Sequence, residues 1–438
     1  MAQPFAEPCG QGVITAQPCP RALGREMPPA RRRLVLAACV LASSMAFIDG
    51  SALTVALPRL RADFGADLAA VQWVLNGYVL ALASLTLIGG ALADVFGKAR
   101  MLGLGCLLFG LASAACALAP SPAWLIAARV VQGAAAAIVT PASLALIGAS
   151  YPRAERNRAI GIWAAASALT TAGGPVLGGW LTESFGWPAV FWINPPLALL
   201  VVGMLYAAAP PQPREQRQLD IPGAAILAAA LAALAWALSQ IGPGSHAVSS
   251  AGLVIAAGIG LTGLAAYAAW ERRSRHPMTP PRLLRNRAFV GLNLATLMVY
   301  AGLSIMFFLL PFDLVDRRAL TPTEAGLAFL PFTLGVGLLS RAFGGLADRL
   351  GARRLLMAGP AGAALAYLWM AVGHAQPLAL GVIAPMALLG LSFAVLVAPL
   401  TAAVMSSVDQ ADEGLASGIN NTAGRIAQLA GVALAAGA

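Results

Sequence analysis

Thirteen long apolar runs, rich in Ala, Leu, Gly and Val, follow one another from Leu34 to Ala438. A hydrocarbon core about 30 Å thick needs roughly 20 apolar residues to cross as an α-helix, and the runs are of that order. None alternates apolar and polar residues as a membrane barrel strand must. Only 11% of the residues are charged, against about 25% in an ordinary soluble domain, so lipid is the main solvent for this chain. The pattern predicts an all-α polytopic membrane protein with spans at residues 34–58, 71–93, 101–119, 123–150, 158–181, 190–208, 221–241, 250–270, 288–312, 323–346, 354–373, 378–405 and 414–438.

A net charge of +10 could mark a nucleic-acid binder, but the position of the basic residues argues against one. With residues 1–33 as a disordered cytoplasmic tail, the tail and the even-numbered connections carry 21 of the 28 basic residues, Lys98, Arg100, Arg153, Arg156, Arg353 and Arg354 among them. The opposite side holds Arg59, Arg61, Arg317 and Arg318, and Arg129, Arg341 and Arg425 fall inside spans. This asymmetry is the positive-inside pattern and predicts a multi-pass protein with a cytoplasmic N-terminus. The first thirty residues form neither a signal peptide nor a span, and Met27, just before Arg31-Arg32-Arg33, is a candidate start. Of the five cysteines, Cys9 and Cys19 lie in the tail and Cys39, Cys106 and Cys116 in spans. They show no metal-binding spacing and no disulfide framework.

The segment Gly90-Ala-Leu-Ala-Asp94-Val-Phe-Gly97-Lys98-Ala-Arg100 recurs 254 residues later as Gly344-Gly-Leu-Ala-Asp348-Arg-Leu-Gly351-Ala-Arg-Arg354. Both copies follow an even-numbered span, so spans 1–6 (34–208) and spans 9 onward (288–438) read as related halves, as in transporters built from repeats. Spans 7 and 8, within 209–287, read as an insertion. Six spans are then expected in the second half, yet Ala438 falls within span 13, which predicts either a fragment lacking its last helix or an unusual C-terminus. Within the repeat, Gly90 lets helices approach, Asp94 caps or pairs at a helix end, and Gly97 permits a tight turn. The repeat is either a turn and topology device or a latch whose ion pairs break as the halves rock.

Polar residues inside spans are expensive in lipid and must face protein or water. Asp49, in Ile48-Asp49-Gly50-Ser51-Ala-Leu-Thr54, is the one acidic residue well inside a span. It lies about 22 Å along the helix from Leu34 at 1.5 Å per residue, hence in the outward half. Desolvation disfavours a charged carboxyl, which suits a group that takes up and releases protons; a structural ion pair is the plainer alternative. Span 4 carries Arg129, Gln132 and Gly133, and Arg129 falls at a depth where it could meet Asp49, either for proton coupling or merely to satisfy backbone carbonyls. In span 5, Gly161, Thr170, Gly174-Pro175 and Gly178-Gly179 combine a bend with a face for close packing. In span 13, Ser417, Asn421, Arg425 and Gln428 share one helical face, which lines a cavity or joins helices.

The segment Gly90–Arg100 and these four sets of residues resemble motifs of the major facilitator superfamily, and spans 1 and 13 with the inserted pair resemble its fourteen-span drug:proton antiporters. The span 5 pattern is similar to the antiporter signature, with Thr170 where Gly is usual. Gly186-Trp187-Pro188-Ala-Val-Phe191-Trp192-Ile-Asn194-Pro195 resembles the family's span 5–6 junction, with Pro188 in place of the usual Arg. The resemblance implies two six-helix halves with two added helices in a bacterial cytoplasmic membrane. It also implies proton-coupled export of drugs or other small amphipathic molecules by a monomer, with no cofactor and no nucleic-acid partner. Export of one specific metabolite or antibiotic, or a non-transporting sensor, are the alternatives. An enzyme finds little support, since His246, His276 and His374 all lie in loops and no Gly-Lys-Ser/Thr phosphate loop is present. Substrate charge stays open: Asp49 suits cations, whereas Arg129 and Arg425 suit anions.

Overall fold

The computed structural model describes residues 27–209, 220–239, 250–274, 283, 285–339, 351–408 and 413–435, and among these there are helices and no strands. All thirteen expected spans have helical counterparts. Spans 1 to 5 are Pro29–Phe64, Leu68–Phe96, Lys98–Ala117, Pro122–Ser150 and Arg153–Phe185. Span 6 is Pro188–Trp192 followed by Asn194–Ala208, and spans 7 and 8 are Ile221–Ser239 and Ser250–Arg273. Span 9 is Arg287–Phe312 with a π-turn at Asp313–Arg317, and span 10 is Pro322–Leu327 followed by 330–339. Span 11 is Ala352–Val372, span 12 Ala384–Ser406 behind a π-turn at Ala379–Ile383, and span 13 Glu413–Ala435. Ten described segments are long and apolar enough to cross a bilayer. The chain is a multi-pass membrane protein.

The helix ends follow local chemistry. Span 1 starts at Pro29 and not at Leu34, so residues 29–33 form its first turn, where the expected tail had been disordered. Proline suits the first helical position because its missing N–H has no partner there anyway. The turn is tied down: Arg32 Nη1 reaches Glu155 at 3.3 Å, and the Tyr151 hydroxyl donates to the Arg32 carbonyl at 3.0 Å. Span 6 breaks at Ile193 ahead of Pro195-Pro196, neither of which can donate the backbone bond a continuous helix needs. Gly97 turns span 2 into span 3 with φ +97°, and Gly351, its counterpart in the repeat, precedes span 11 with φ +82°. The two copies therefore share a left-handed turn that favours glycine. Arg100 and Arg354 are exposed beside these turns. The side chain of Asp94, and Gly344, Asp348 and Arg341 entirely, lie outside the described residues.

We call the face bearing Arg32, Gly97, Tyr151 and Gly351 the tail side, and the opposite face the far side. In the first half, span 1 packs on span 5, span 2 on span 4, and span 3 on spans 4 and 6; in the second, span 9 packs on span 13 and span 11 on span 12. Spans 7 and 8 pair with each other, and span 7 also lies against spans 2 and 13. The close approach of spans 2 and 4 belongs to Gly89, one residue from the expected Gly90. A methyl at Gly89 would sit 2.1 Å from the Ala137 carbonyl oxygen, whereas at Gly90 it would make ordinary contact with Pro141 at 3.5 Å.

Candidate functional site

Asp49 has no solvent exposure, and neither have Arg129 and Gln132. Arg129 Nη1 forms an ion pair with Asp49 Oδ2 and also donates to Gln132 Oε1 at 2.7 Å. Gln132 Nε2 donates to Asp49 Oδ1 at 2.8 Å, closing a three-residue ring across spans 1 and 4. A fourth member comes from span 6, where Asn194 Nδ2 donates to the same Oδ1 at 3.2 Å and to Ser113 Oγ at 2.9 Å. Arg129 Nε donates to the Val74 carbonyl at 3.1 Å. Its guanidinium lies over the Tyr78 ring at 4.1 Å and near the Phe191 ring at 5.7 Å. Both carboxylate oxygens are thus engaged, and the charge is neutralised by an adjacent cation whose flat faces pack on aromatic rings. Arg129 and Asn194 lie in the first turns of their helices and Ser113 in the last turn of its own, all ends that reach the far side, so this cluster is in the far half of the bundle.

The glycines of span 5 divide into two groups. Gly174 and Gly178 face span 1, where an added methyl would stand 1.8 Å from Ser51 Oγ and 2.2 Å from the Ala52 carbonyl oxygen. Gly179 faces the start of span 10, 2.2 Å by the same measure from the Pro322 carbonyl oxygen, and Gly326 returns the contact at 2.4 Å from the Pro175 carbonyl oxygen. A methyl at Gly161 would meet nothing within 4 Å, and Thr170 donates to the Ala166 and Ser167 carbonyls of its own helix. The far end of span 5 is therefore a seam between the halves.

Further cross-half contacts lie at the same end. Gln72 Nε2 of span 2 donates to the Val432 carbonyl of span 13. Arg61 and Asp316 stand 4.0 Å apart. Glu183, exposed and two residues beyond the apolar stretch 158–181, accepts from the Thr323 backbone at 3.0 Å. Hydrogen bonds from Thr323 and Thr321 hold this carboxyl below its usual range. These contacts close the far side between the halves.

Arg425 of span 13 is half-buried and differs from Arg129 in its partners. Nη1 donates to Gln428 Oε1 at 3.1 Å, the guanidinium lies 5.9 Å from the Phe47 ring, and no carboxylate pairs with it among the described residues. Along the same stripe Gln428 is half-buried and Asn421 exposed, while the Ser417 side chain lies outside the described residues. The neighbouring Asn420 joins helices, accepting from the Thr296 hydroxyl at 2.8 Å.

A family model described as the Major Facilitator Superfamily matches residues 39–432. The chain belongs to the Major Facilitator Superfamily. It is 34% identical over 404 residues to multidrug resistance protein Stp of Mycobacterium tuberculosis (strain CDC 1551 / Oshkosh), covering 92% of this chain and 74% of that protein. It is 33% identical over 389 residues to the lincomycin resistance protein of Streptomyces lincolnensis, covering 88% and 80%. A crystal structure of peptide transporter POT in complex with sulfate superposes with a TM-score of 0.67 at 17% identity, over 93% of this chain and 88% of that one, which speaks to the fold alone.

Within this superfamily chain, sequence reasoning named Asp49, Arg129 and Gln132 and missed Asn194, Ser113 and Tyr78. Asn194 had been read as part of the span 5–6 junction, yet it donates to Asp49 across 145 residues of sequence. A signal existed: an Asn flanked by Ile193 and Pro195 within an apolar segment needs a buried partner. Asp313, another acid near a span end, pairs with Arg317 at 2.7 Å and Arg318 at 2.9 Å. Arg318 in turn donates to the His374 and Gln376 carbonyls, tying two far-side loops of the second half together.

Proposed function

We propose that this chain is a proton-coupled antiporter that exports small amphipathic molecules, drugs among them, across a bacterial cytoplasmic membrane. The observation that carries this reading is the sealed carboxylate of Asp49, paired with Arg129 and steadied by Gln132 and Asn194. A buried ion pair is stable only while both charges are present; removal of one leaves the other uncompensated at a cost of about 3–5 kcal/mol. Protonation of Asp49 takes away the partner of Arg129 in this way and supplies a driving force for rearrangement. Gly174 and Gly178 abut the Asp49 helix within one turn of it, in the same seam as Pro175 and Gly179, so a change at Asp49 is mechanically next to the contacts that hold the far side shut.

In this reading the tail side is cytoplasmic, as the distribution of Arg and Lys favours. The closed far side then faces out, and the chain is in its inward-facing state. Residues 34–208 and 288–438 act as the two rocking halves, with spans 7 and 8 added beside them. Gly97 and Gly351, with Lys98, Arg100 and Arg354, belong to a tail-side latch formed in the opposite state. One chain supplies both halves, so a monomer suffices.

The test is dye efflux from vesicles under an imposed pH gradient, comparing wild type with Asp49→Asn. Efflux that requires the gradient in wild type and is lost in the variant supports antiport through Asp49. Gradient-independent efflux in wild type would sink the mechanism.

A further inference from the structure

The sequence left the charge of the exported molecule open, because one interior carboxylate favours cations and interior arginines favour anions. In the folded chain these groups are not equally presented. Asp49 has no exposure and both its oxygens are occupied, so it offers nothing to a ligand. Arg129 is likewise fully buried and neutralised. Arg425 is half-buried and hydrogen-bonded through one nitrogen to a neutral amide, with no carboxylate partner among the described residues. Guanidinium carries five N–H donors in a planar fork that matches a carboxylate or phosphate edge, and among the described residues Gln428 accepts from one of the five.

The surroundings of Arg425 are aromatic and come from both halves. Phe47 of span 1 lies beside its guanidinium, and Tyr78 of span 2 and Tyr300 of span 9 are within electrostatic reach. Behind these, Trp163 meets Phe47 edge-on at 6.5 Å and Phe393 meets Tyr300 at 6.2 Å. Phe47, Trp163 and Tyr300 are themselves half-buried. A desolvated cation in such a wall binds a counter-anion strongly, since charge-assisted hydrogen bonds are roughly twice as strong as neutral ones.

Resting on the exporter reading above, we infer that the substrate is an amphipathic anion whose carboxylate-like group pairs with Arg425 while its apolar or aromatic body packs on Phe47 and Tyr300. The cation class is disfavoured by the same geometry, because a positive ligand would face Arg425 with no exposed interior carboxylate among the described residues to offset it. Gln428 acts as a positioning residue that orients the guanidinium.

The test uses three versions of one aromatic fluorophore that differ only in a side group: a carboxylate, its neutral amide and a trimethylammonium analogue. Equilibrium binding to the purified full chain is expected to favour the carboxylate over the amide by about tenfold, with the cation weakest. Arg425→Gln should remove the preference for the carboxylate, and Arg425→Lys should retain part of it. Equal affinity of the three probes, or tightest binding of the cation, overturns the assignment, and this ranking in wild type needs no variant to fold. Vesicle efflux of the same probes separates the two readings. Gradient-driven efflux of the cation alone would overturn the anion assignment and leave the exporter standing. A clear binding preference for the carboxylate without gradient-driven efflux of any probe would uphold the anion site and defeat proton-coupled export.

Discussion

Arg129 and Arg425 both lie inside the bundle, on spans 4 and 13, and they illustrate two ways of carrying a positive charge there. Arg129 is enclosed by Asp49, Gln132, the Val74 carbonyl and the Tyr78 ring, with no exposure. Arg425 is half-buried between Gln428 and Phe47, with no ionic partner among the described residues. The first arrangement makes the charge part of the core, so that its loss is a loss of structure. The second leaves the charge presented to whatever enters, so that its loss changes recognition. Sequence position alone does not say which of the two is paired, since each is an arginine inside a span directly after a small residue, Ala128 or Gly424.

The contrast breaks most directly at the arginines. Arg129→Gln alone should cost about 3–5 kcal/mol by stranding Asp49, whereas Asp49→Asn combined with Arg129→Gln should recover most of that. Arg425→Gln should stay within about 0.5 kcal/mol of wild type. Thermal unfolding of the purified variants measures all three, and equal melting shifts for the two single arginine variants would remove the distinction. Asn194→Ala should cost about 1–3 kcal/mol, the usual penalty for leaving a buried acceptor short of a donor. That effect is expected to vanish in the Asp49→Asn, Arg129→Gln background if Asn194 acts only through the carboxylate.

Span 5 gives the next comparison. Gly179→Val should force the halves apart at the Pro322 contact, at about 1–3 kcal/mol, and raise labelling of a cysteine placed at the far side. Gly161→Val, with nothing within 4 Å, should leave labelling unchanged. The smallest effect belongs to Glu183, whose carboxyl is held below its usual range by Thr323 and Thr321. A depressed value means that the ionised form makes the contact. Its contribution is therefore present above the ordinary carboxylate range and is lost as pH falls through the depressed one. Far-side labelling should rise on acidification in wild type, and Glu183→Gln should flatten that response.

Much of the candidate site was legible. The depths of Asp49 in span 1 and Arg129 in span 4 follow from counting residues along helices, and their meeting was foreseeable on that basis. Asn194, Ser113 and Tyr78 were not, because helical periodicity says which residues share a face and not which neighbour that face meets. The span 5 motif read as one unit, yet Gly174, Gly178 and Gly179 meet spans 1 and 10 closely while Gly161 has nothing within 4 Å, a division that depends on where spans 1 and 10 cross it. The one-residue difference between Gly89 and Gly90 has the same origin.

The sequence by itself determined that this chain is a bundle of membrane helices with related halves, and which few residues inside it are costly enough to matter. Those conclusions rest on matching each segment to its solvent, which is a local property of composition and length. Only the tertiary structure decided which interior charge is neutralised and which is left facing a ligand. That outcome depends on bringing together Asp49, Arg129 and Asn194, residues 80 and 145 positions from Asp49, while keeping Arg425 out of reach of any described carboxylate.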